Sequence, residues 1–108
     1  NRNRAALRKM LKNSSVVISI WKGQELIGFG RATSDGIFRT VIWDIVVADD
    51  LQGNGYGRLI LEELFKAPCI RNSEKVYLMT TNRSTFYEQL GFTVNSKQKL
   101  MFIENTNQ

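Results

Sequence analysis

The sequence predicts an α/β (α+β) fold: a mixed central sheet that opens with an antiparallel hairpin, continues through a parallel βαβ unit and carries helices on both faces. Three observations predict it. Val16 to Lys22 and Leu26 to Thr33 are strand-forming runs separated by the tight turn Lys22-Gly23-Gln24-Glu25, a hairpin pattern. Thr40 to Ala48 is nearly continuous apolar sequence, as in a strand covered on both faces. A glycine-rich turn, an amphipathic helix and a further strand, Val76 to Thr80, come next, and that order implies a right-handed crossover with parallel pairing.

The remaining elements follow from local chemistry. Asn1 to Asn13 is basic and polar, unlike a signal peptide. Within it, Arg4 to Leu11 reads as a solvated helix with Ala6, Leu7, Met10 and Leu11 on one stripe, a membrane-surface segment being the alternative. Ser34-Asp35-Gly36 is a turn signal. The helix after the glycines is expected over Arg58 to Lys66, with Leu59, Ile60, Leu64 and Phe65 toward the sheet and Pro68 as its stop. Thr81-Asn82-Arg83-Ser84 leads into a last helix, Ser84 being able to cap it and Gly91-Phe92 closing it. Leu100 to Ile103 is expected as a last strand, and the polar stretch Asn105 to Gln108 as a frayed end. A chain of 108 residues without repeats or a linker suits one domain, 1–108.

Composition narrows the chemistry. At 43% hydrophobic residues, a core can form. The single Cys69 cannot close an internal disulfide, which points to a reducing compartment. With no histidine to activate it, Cys69 is a poor nucleophile, and a zinc site is effectively excluded, so no metal is expected. No apolar run reaches membrane-spanning length, and no membrane partner is expected. The net charge of +5 invites a nucleic-acid hypothesis, but the bases are scattered, with clusters at Arg2 to Lys12 and Lys97 to Lys99. No stacking platform or groove-reading helix is apparent, so that hypothesis ranks last; a basic face equally suits a small polyanionic ligand.

The segment Val46-Val47-Ala48-Asp49-Asp50-Leu51-Gln52-Gly53-Asn54-Gly55-Tyr56-Gly57-Arg58 carries the most information. An apolar strand enters a turn with alternating glycines at the start of a helix. Such a turn exposes backbone N–H groups that have no intrahelical partner, at the positive end of the helix dipole, and suits phosphate or pyrophosphate. The dinucleotide fingerprint G-x-G-x-x-G fails, because its last glycine falls on Arg58 or Ile60. The P-loop fails for want of Gly-Lys-Ser/Thr. What remains is Gln52-x-x-Gly55-x-Gly57; the alternative is a glycine-rich turn without a ligand.

That loop resembles the acyl-coenzyme A loop of the GNAT N-acetyltransferase superfamily. A second segment, Ser84-Thr85-Phe86-Tyr87-Glu88-Gln89-Leu90-Gly91-Phe92, resembles the short helix with Phe-Tyr-x-x-x-Gly-Phe that ends the core of that fold. Gly28-Phe29-Gly30-Arg31-Ala32-Thr33-Ser34-Asp35-Gly36 and Ile42-Trp43-Asp44 narrow the likeness to the cyanobacterial and plastid branch. Its plant members are described as serotonin or arylalkylamine N-acetyltransferases, and red-algal plastid-encoded homologues belong with it. The resemblance spans Val16 to Phe102. Family members have a further strand and helix before the first hairpin, of which this sequence holds only the end.

The resemblance implies transfer of an acetyl group from acetyl-coenzyme A to a primary amine, either a small arylalkylamine such as serotonin or a protein lysine, by direct attack in a ternary complex. It implies that Tyr87 is the general acid toward the cofactor sulfur, the alternative being a packing tyrosine. Ile45, Val46 and Val47 would receive the pantetheine arm between diverging strands. Gln52, Gly53, Asn54, Gly55, Tyr56, Gly57 and Arg58 would hold the pyrophosphate, with Asn82 and Phe86 completing the cofactor site; Arg58 or Arg83 would pair with phosphate. Asp44 is the base candidate on its own chemistry, being the only charge in an apolar strand, where burial would raise its pKa; a structural carboxylate is the alternative. Strand alternation sends Asp44 opposite to Trp43 unless a bulge intervenes. Trp21 and Trp43 either line an aromatic-amine pocket or pack in the core. A coenzyme A-binding module without catalysis is the second function considered. A monomer or homodimer in the plastid stroma, or in a cyanobacterial-type cytoplasm, completes the expectation.

Overall fold

The computed structural model describes residues 3–105. Helix α1 (Arg4–Lys12) is followed by strands β1 (Val16–Lys22), β2 (Glu25–Ser34) and β3 (Arg39–Val47). A 3-10 turn (Asp49–Leu51) leads to α2 (Tyr56–Phe65), the short α3 (Pro68–Arg71), β4 (Lys75–Leu78) and α4 (Ser84–Gln89). The sheet order is β1-β2-β3-β4. The first two pairings are antiparallel and β3–β4 is parallel, so the predicted hairpin and crossover both form.

The β1–β2 hairpin pairs Lys22 with Glu25 around a two-residue turn, where Gly23 takes φ 62°. A glycine in that first turn position follows the right-handed twist of the strands. The β2–β3 turn is set by Asp35, whose Oδ1 accepts from the N–H groups of Ile37, Phe38 and Arg39 at 2.8, 2.7 and 3.1 Å.

One face of the sheet is covered by α2. Gly28, Gly30 and Ala32 alternate along β2 and present almost no side chain there, so the helix sits close. Ile60, Leu61 and Leu64 of α2 pack with Ala32, Ile42 and Ile70 into the buried core. Each such aliphatic contributes about 1.5–3 kcal/mol when fully buried. Of the positions expected toward the sheet, Ile60 and Leu64 are buried and Phe65 packs against the core, while Leu59 is exposed and Leu61 is buried in its stead.

A hydroxyl cluster closes the end of the sheet where β3 meets β4. The fully buried Thr40 Oγ1 donates to Ser34 Oγ at 2.8 Å and lies 2.6 Å from Ser73 Oγ. Ser34 Oγ and Ser73 Oγ both donate to the Cys69 carbonyl, at 2.9 and 2.7 Å. This satisfies a buried polar group that would otherwise cost stability.

Several local expectations are corrected. Pro68 does not stop α2, which ends at Phe65; it stands in the first turn of α3, where its missing N–H costs nothing. Ser84 does not cap α4. Arg83 occupies that position without a side-chain cap bond, and Thr80 Oγ1 accepts from the Arg83 N–H instead. Helix α2 begins two residues earlier than expected, at Tyr56. Helix α1, by contrast, forms as the solvated helix expected, capped by Asn3 Oδ1 accepting from Ala6 N–H and burying no residue. Leu100 to Ile103 is not a strand and has no pairing partner among the described residues. Of the predicted frayed end, Thr106 to Gln108 lie outside the described residues, as does Arg2 of the first basic cluster.

Candidate active site

The parallel pairing of β3 with β4 runs from Arg39↔Lys75 to Ile42↔Leu78 and stops. Strand β3 continues to Val47, still paired with β2 on its other side, so its edge beyond Ile42 has no β4 partner. A cavity of about 390 Å³ opens at this split. Ile45, Val46 and Val47 form one wall, the loop and first turn of α2 a second, and Arg83, Phe86 and Tyr87 of the α4 region a third.

The loop wall is held by its own side chains. Gln52 Nε2 donates to the Val47 carbonyl at 3.2 Å, and Asn54 Nδ2 to the Leu51 carbonyl at 3.0 Å. Gly53 and Gly55 take φ 84° and 85°, a left-handed backbone that side chains disfavour. Gly55 is the N-cap of α2 and offers no side-chain acceptor, so the first-turn amides are not capped by it. A β-carbon on Gly53 or Gly55 would meet nothing within 4 Å, leaving the backbone open to approach. These features fit a phosphate-bearing ligand at a helix N-terminus.

Tyr87 packs edge-on against Phe86 and Phe92, with ring centroids 5.0 and 5.9 Å away. Burial pushes its phenol above the ordinary value, and the Arg83 charge pulls part of that shift back. The Arg83 guanidinium also stacks 5.1 Å over Phe86. Arg58 reaches Glu62 one turn along at 3.3 Å.

The structure brings Ile45, Val46, Val47, Gln52, Gly53, Gly55, Tyr56, Gly57, Arg58, Phe86 and Tyr87 to one cavity. Asn54 and Asn82 do not line it; Asn54 braces the loop from outside, and Asn82 is exposed in the turn before α4. Asp49 and Leu51 also line the cavity and were missed. They stand in the same strand-to-loop segment, but no glycine or fixed spacing marks them.

Asp44 requires a correction. It is not a buried carboxylate: its side chain is 41% exposed and pairs with Arg31 Nε at 2.8 Å. It does not line the cavity. The register explains both facts. Arg31 pairs with Asp44 but Ala32 pairs with Ile42, so Trp43 is an extra residue, a β-bulge. Trp43 Nε1 donates to Thr33 Oγ1 at 2.8 Å and Arg31 lies 6.0 Å from its ring. Trp43 and Asp44 therefore share the face turned away from α2. Trp21 and Trp43 are exposed rather than packed in the core.

Among the described residues, no group of three or more His, Cys, Asp or Glu is placed to hold a metal ion, and no helix is long and apolar enough to cross a membrane.

The acetyltransferase (GNAT) domain model matches residues 13–94. The chain belongs to the GNAT acetyltransferase family. A GNAT relative from Pyropia yezoensis, named uncharacterized N-acetyltransferase ycf52, is 37% identical over 87 residues, covering 76% of this chain and 50% of that protein. Serotonin N-acetyltransferase 2, chloroplastic, from Oryza sativa subsp. japonica is 34% identical over 100 residues, covering 87% of this chain and 50% of that protein. The chain thus spans about half the length of these curated relatives. A probable acetyltransferase from meticillin-resistant Staphylococcus aureus has the same GNAT fold, with a TM-score of 0.86 and 29% identity, covering 96% of this chain and 81% of that one.

Proposed function

We propose that this chain, as one GNAT domain over 1–108, transfers an acetyl group from acetyl-coenzyme A to a primary amine by direct attack in a ternary complex. The observation that carries this is the convergence of the uncapped α2 N-terminus and Tyr87 on one cavity, at the point where β3 and β4 part.

Bound acetyl-coenzyme A supplies the reactive thioester. The amides of Gly53 to Arg58 hold its pyrophosphate, helped by the Arg58 and Arg83 charges. The free edge of Ile45 to Val47 takes the pantetheine amides as an added strand would. Tyr87 would give its proton to the leaving sulfur; a phenol is protonated at neutral pH, and burial pushes its pKa further up. The amine must arrive neutral. For a lysine-like amine that costs about 3.4 pKa units, or roughly 4.6 kcal/mol, at pH 7. Asp44 lies outside the cavity in an ion pair with Arg31, so it reaches that proton only through a relay of water.

We take a small arylalkylamine rather than a protein lysine as the acceptor, with the exposed Trp43, outside the cavity on the Asp44 face, as the aromatic surface available for stacking. The serotonin in the rice relative's name agrees with that choice, and the word chloroplastic in it supports a plastid location. A module that binds coenzyme A without turnover is the second reading, favoured by the position of Asp44 outside the cavity. The test is calorimetric titration with acetyl-coenzyme A, followed by thiol release with tryptamine, serotonin, tyramine and a lysine peptide. Binding with turnover on aromatic amines is expected. Binding without turnover on any amine selects the second reading, and no binding refutes both.

A further inference from the structure

Among the described residues lining the cavity at the β3–β4 split, Asp49 is the one acid. It makes no ion pair among the described residues. Its one side-chain hydrogen bond among them is long, from Gln52 Nε2 at 3.4 Å, and that amide also serves the Val47 carbonyl. A carboxylate accepts hydrogen bonds and donates none, with room for about four. Set in a site for a polyanion, it repels the ligand unless it faces an uncharged donor.

The backbone fixes where Asp49 stands. The Ala48 N–H still donates across the sheet to the Ile27 carbonyl at 2.9 Å. The Leu51 N–H donates back to the Ala48 carbonyl at 2.9 Å, closing the 3-10 turn Asp49–Leu51. Asp49 is therefore the first residue past the sheet, between the free edge of Ile45 to Val47 and the glycine loop that opens α2. Leu51, half-buried in the same turn, also lines the cavity and brings an apolar side chain to that stretch of wall. In chain order the wall offers strand backbone, then a carboxylate with an apolar neighbour, then a helix N-terminus.

Acetyl-coenzyme A carries matching groups in the same order. Its amides follow the thioester, then a secondary hydroxyl beside a carbon bearing geminal methyl groups, then the pyrophosphate. We propose that Asp49 accepts a hydrogen bond from that hydroxyl, with Leu51 against the methyl groups; this rests on the cavity being the acetyl-coenzyme A site. The turn then reads the pantetheine arm, which amides that hold a pyrophosphate cannot recognise. A site built to bond a hydroxyl rejects the analogue that lacks it.

The test is calorimetric titration of this chain and of Asp49→Ala with acetyl-coenzyme A and with its analogue carrying hydrogen in place of that hydroxyl. Asp49 is exposed, and circular dichroism with thermal melting controls for folding of the variant. Removing the carboxylate also removes its repulsion of the pyrophosphate, but that effect is common to both ligands and cancels in the ratio of affinities. The expected result is a loss of roughly tenfold for the analogue on this chain and equal affinities for the two ligands on the variant. Equal affinities on this chain overturn the proposal, and so does the same loss on both proteins. If this chain does not bind acetyl-coenzyme A at all, the cofactor site itself is refuted and the role of Asp49 falls with it.

Discussion

Gly30 and Ile60 approach so closely that a β-carbon built on the glycine would meet Ile60 Cγ2 at 2.5 Å. Ile60 is fully buried and branched at Cβ, so its Cγ2 methyl has nowhere to turn. Gly30→Ala therefore has to push α2 off the sheet. The expected cost is about 1–3 kcal/mol, despite the better strand propensity of alanine. Urea denaturation measures it, and an unchanged midpoint would show that the helix yields freely.

Tyr87→Phe separates chemistry from binding. The ring keeps its contacts with Phe86 and Phe92, so affinity for acetyl-coenzyme A should change less than about twofold, while kcat falls on the order of 100-fold or more, the usual worth of a general acid. Equal losses in both would reject the proton-donor role.

The pH profile carries a sign. Tyr87 acts in its neutral form and its pKa is raised above 10.0, so the alkaline loss of kcat should fall above that value. Arg83 opposes the shift, and Arg83→Gln should move the alkaline limb further up. A limb that moves down in that variant would contradict the arrangement.

Gly55 tests the loop. At φ 85° any L-residue is strained, so Gly55→Ala should lose about 1–2 kcal/mol of stability. Gly55→Asp adds a negative charge at the helix N-terminus and should weaken acetyl-coenzyme A binding well beyond the alanine variant. Calorimetry on both variants decides it: equal affinities would remove electrostatics from the loop's role.

Asp35 makes stability depend on acid. Three backbone N–H groups hold its carboxylate below the ordinary 3.8. A depressed carboxylate pKa stabilises the fold above the unfolded value. That contribution fades as the pH falls from about 3.8 through the native value. Asp35→Ala should lower the melting temperature near neutrality and flatten its dependence on pH in that acid window. Parallel melting curves from pH 5 to 2 would count against it.

The sheet and the loop were legible because their signals are local. The tight turn at Gly23, the apolar run of β3 and the glycines at 53 and 55 each constrain their own backbone. The bulge at Trp43 was not legible as a position, because it depends on how Arg31 and Ala32 of another strand select Asp44 and Ile42. For the same reason the burial of Asp44 was misjudged: its partner is 13 residues away in sequence. Leu100 to Ile103 has strand chemistry but no strand, since a strand exists only where an edge receives it. Pro68 misled in the opposite direction, because proline both stops one helix and starts the next.

The hydroxyl cluster around Thr40 gives the cavity a vertex. Strands β3 and β4 stay paired from Arg39↔Lys75 to Ile42↔Leu78, with the Thr40 hydroxyl cluster inside that paired stretch, and part only beyond Ile42 toward Val47. The free arm is the five residues after Ile42, up to Val47, about 17 Å long, so a slight rotation where the strands part becomes a larger displacement at the mouth. Ser34, Thr40 and Ser73 hold the closed end of that wedge.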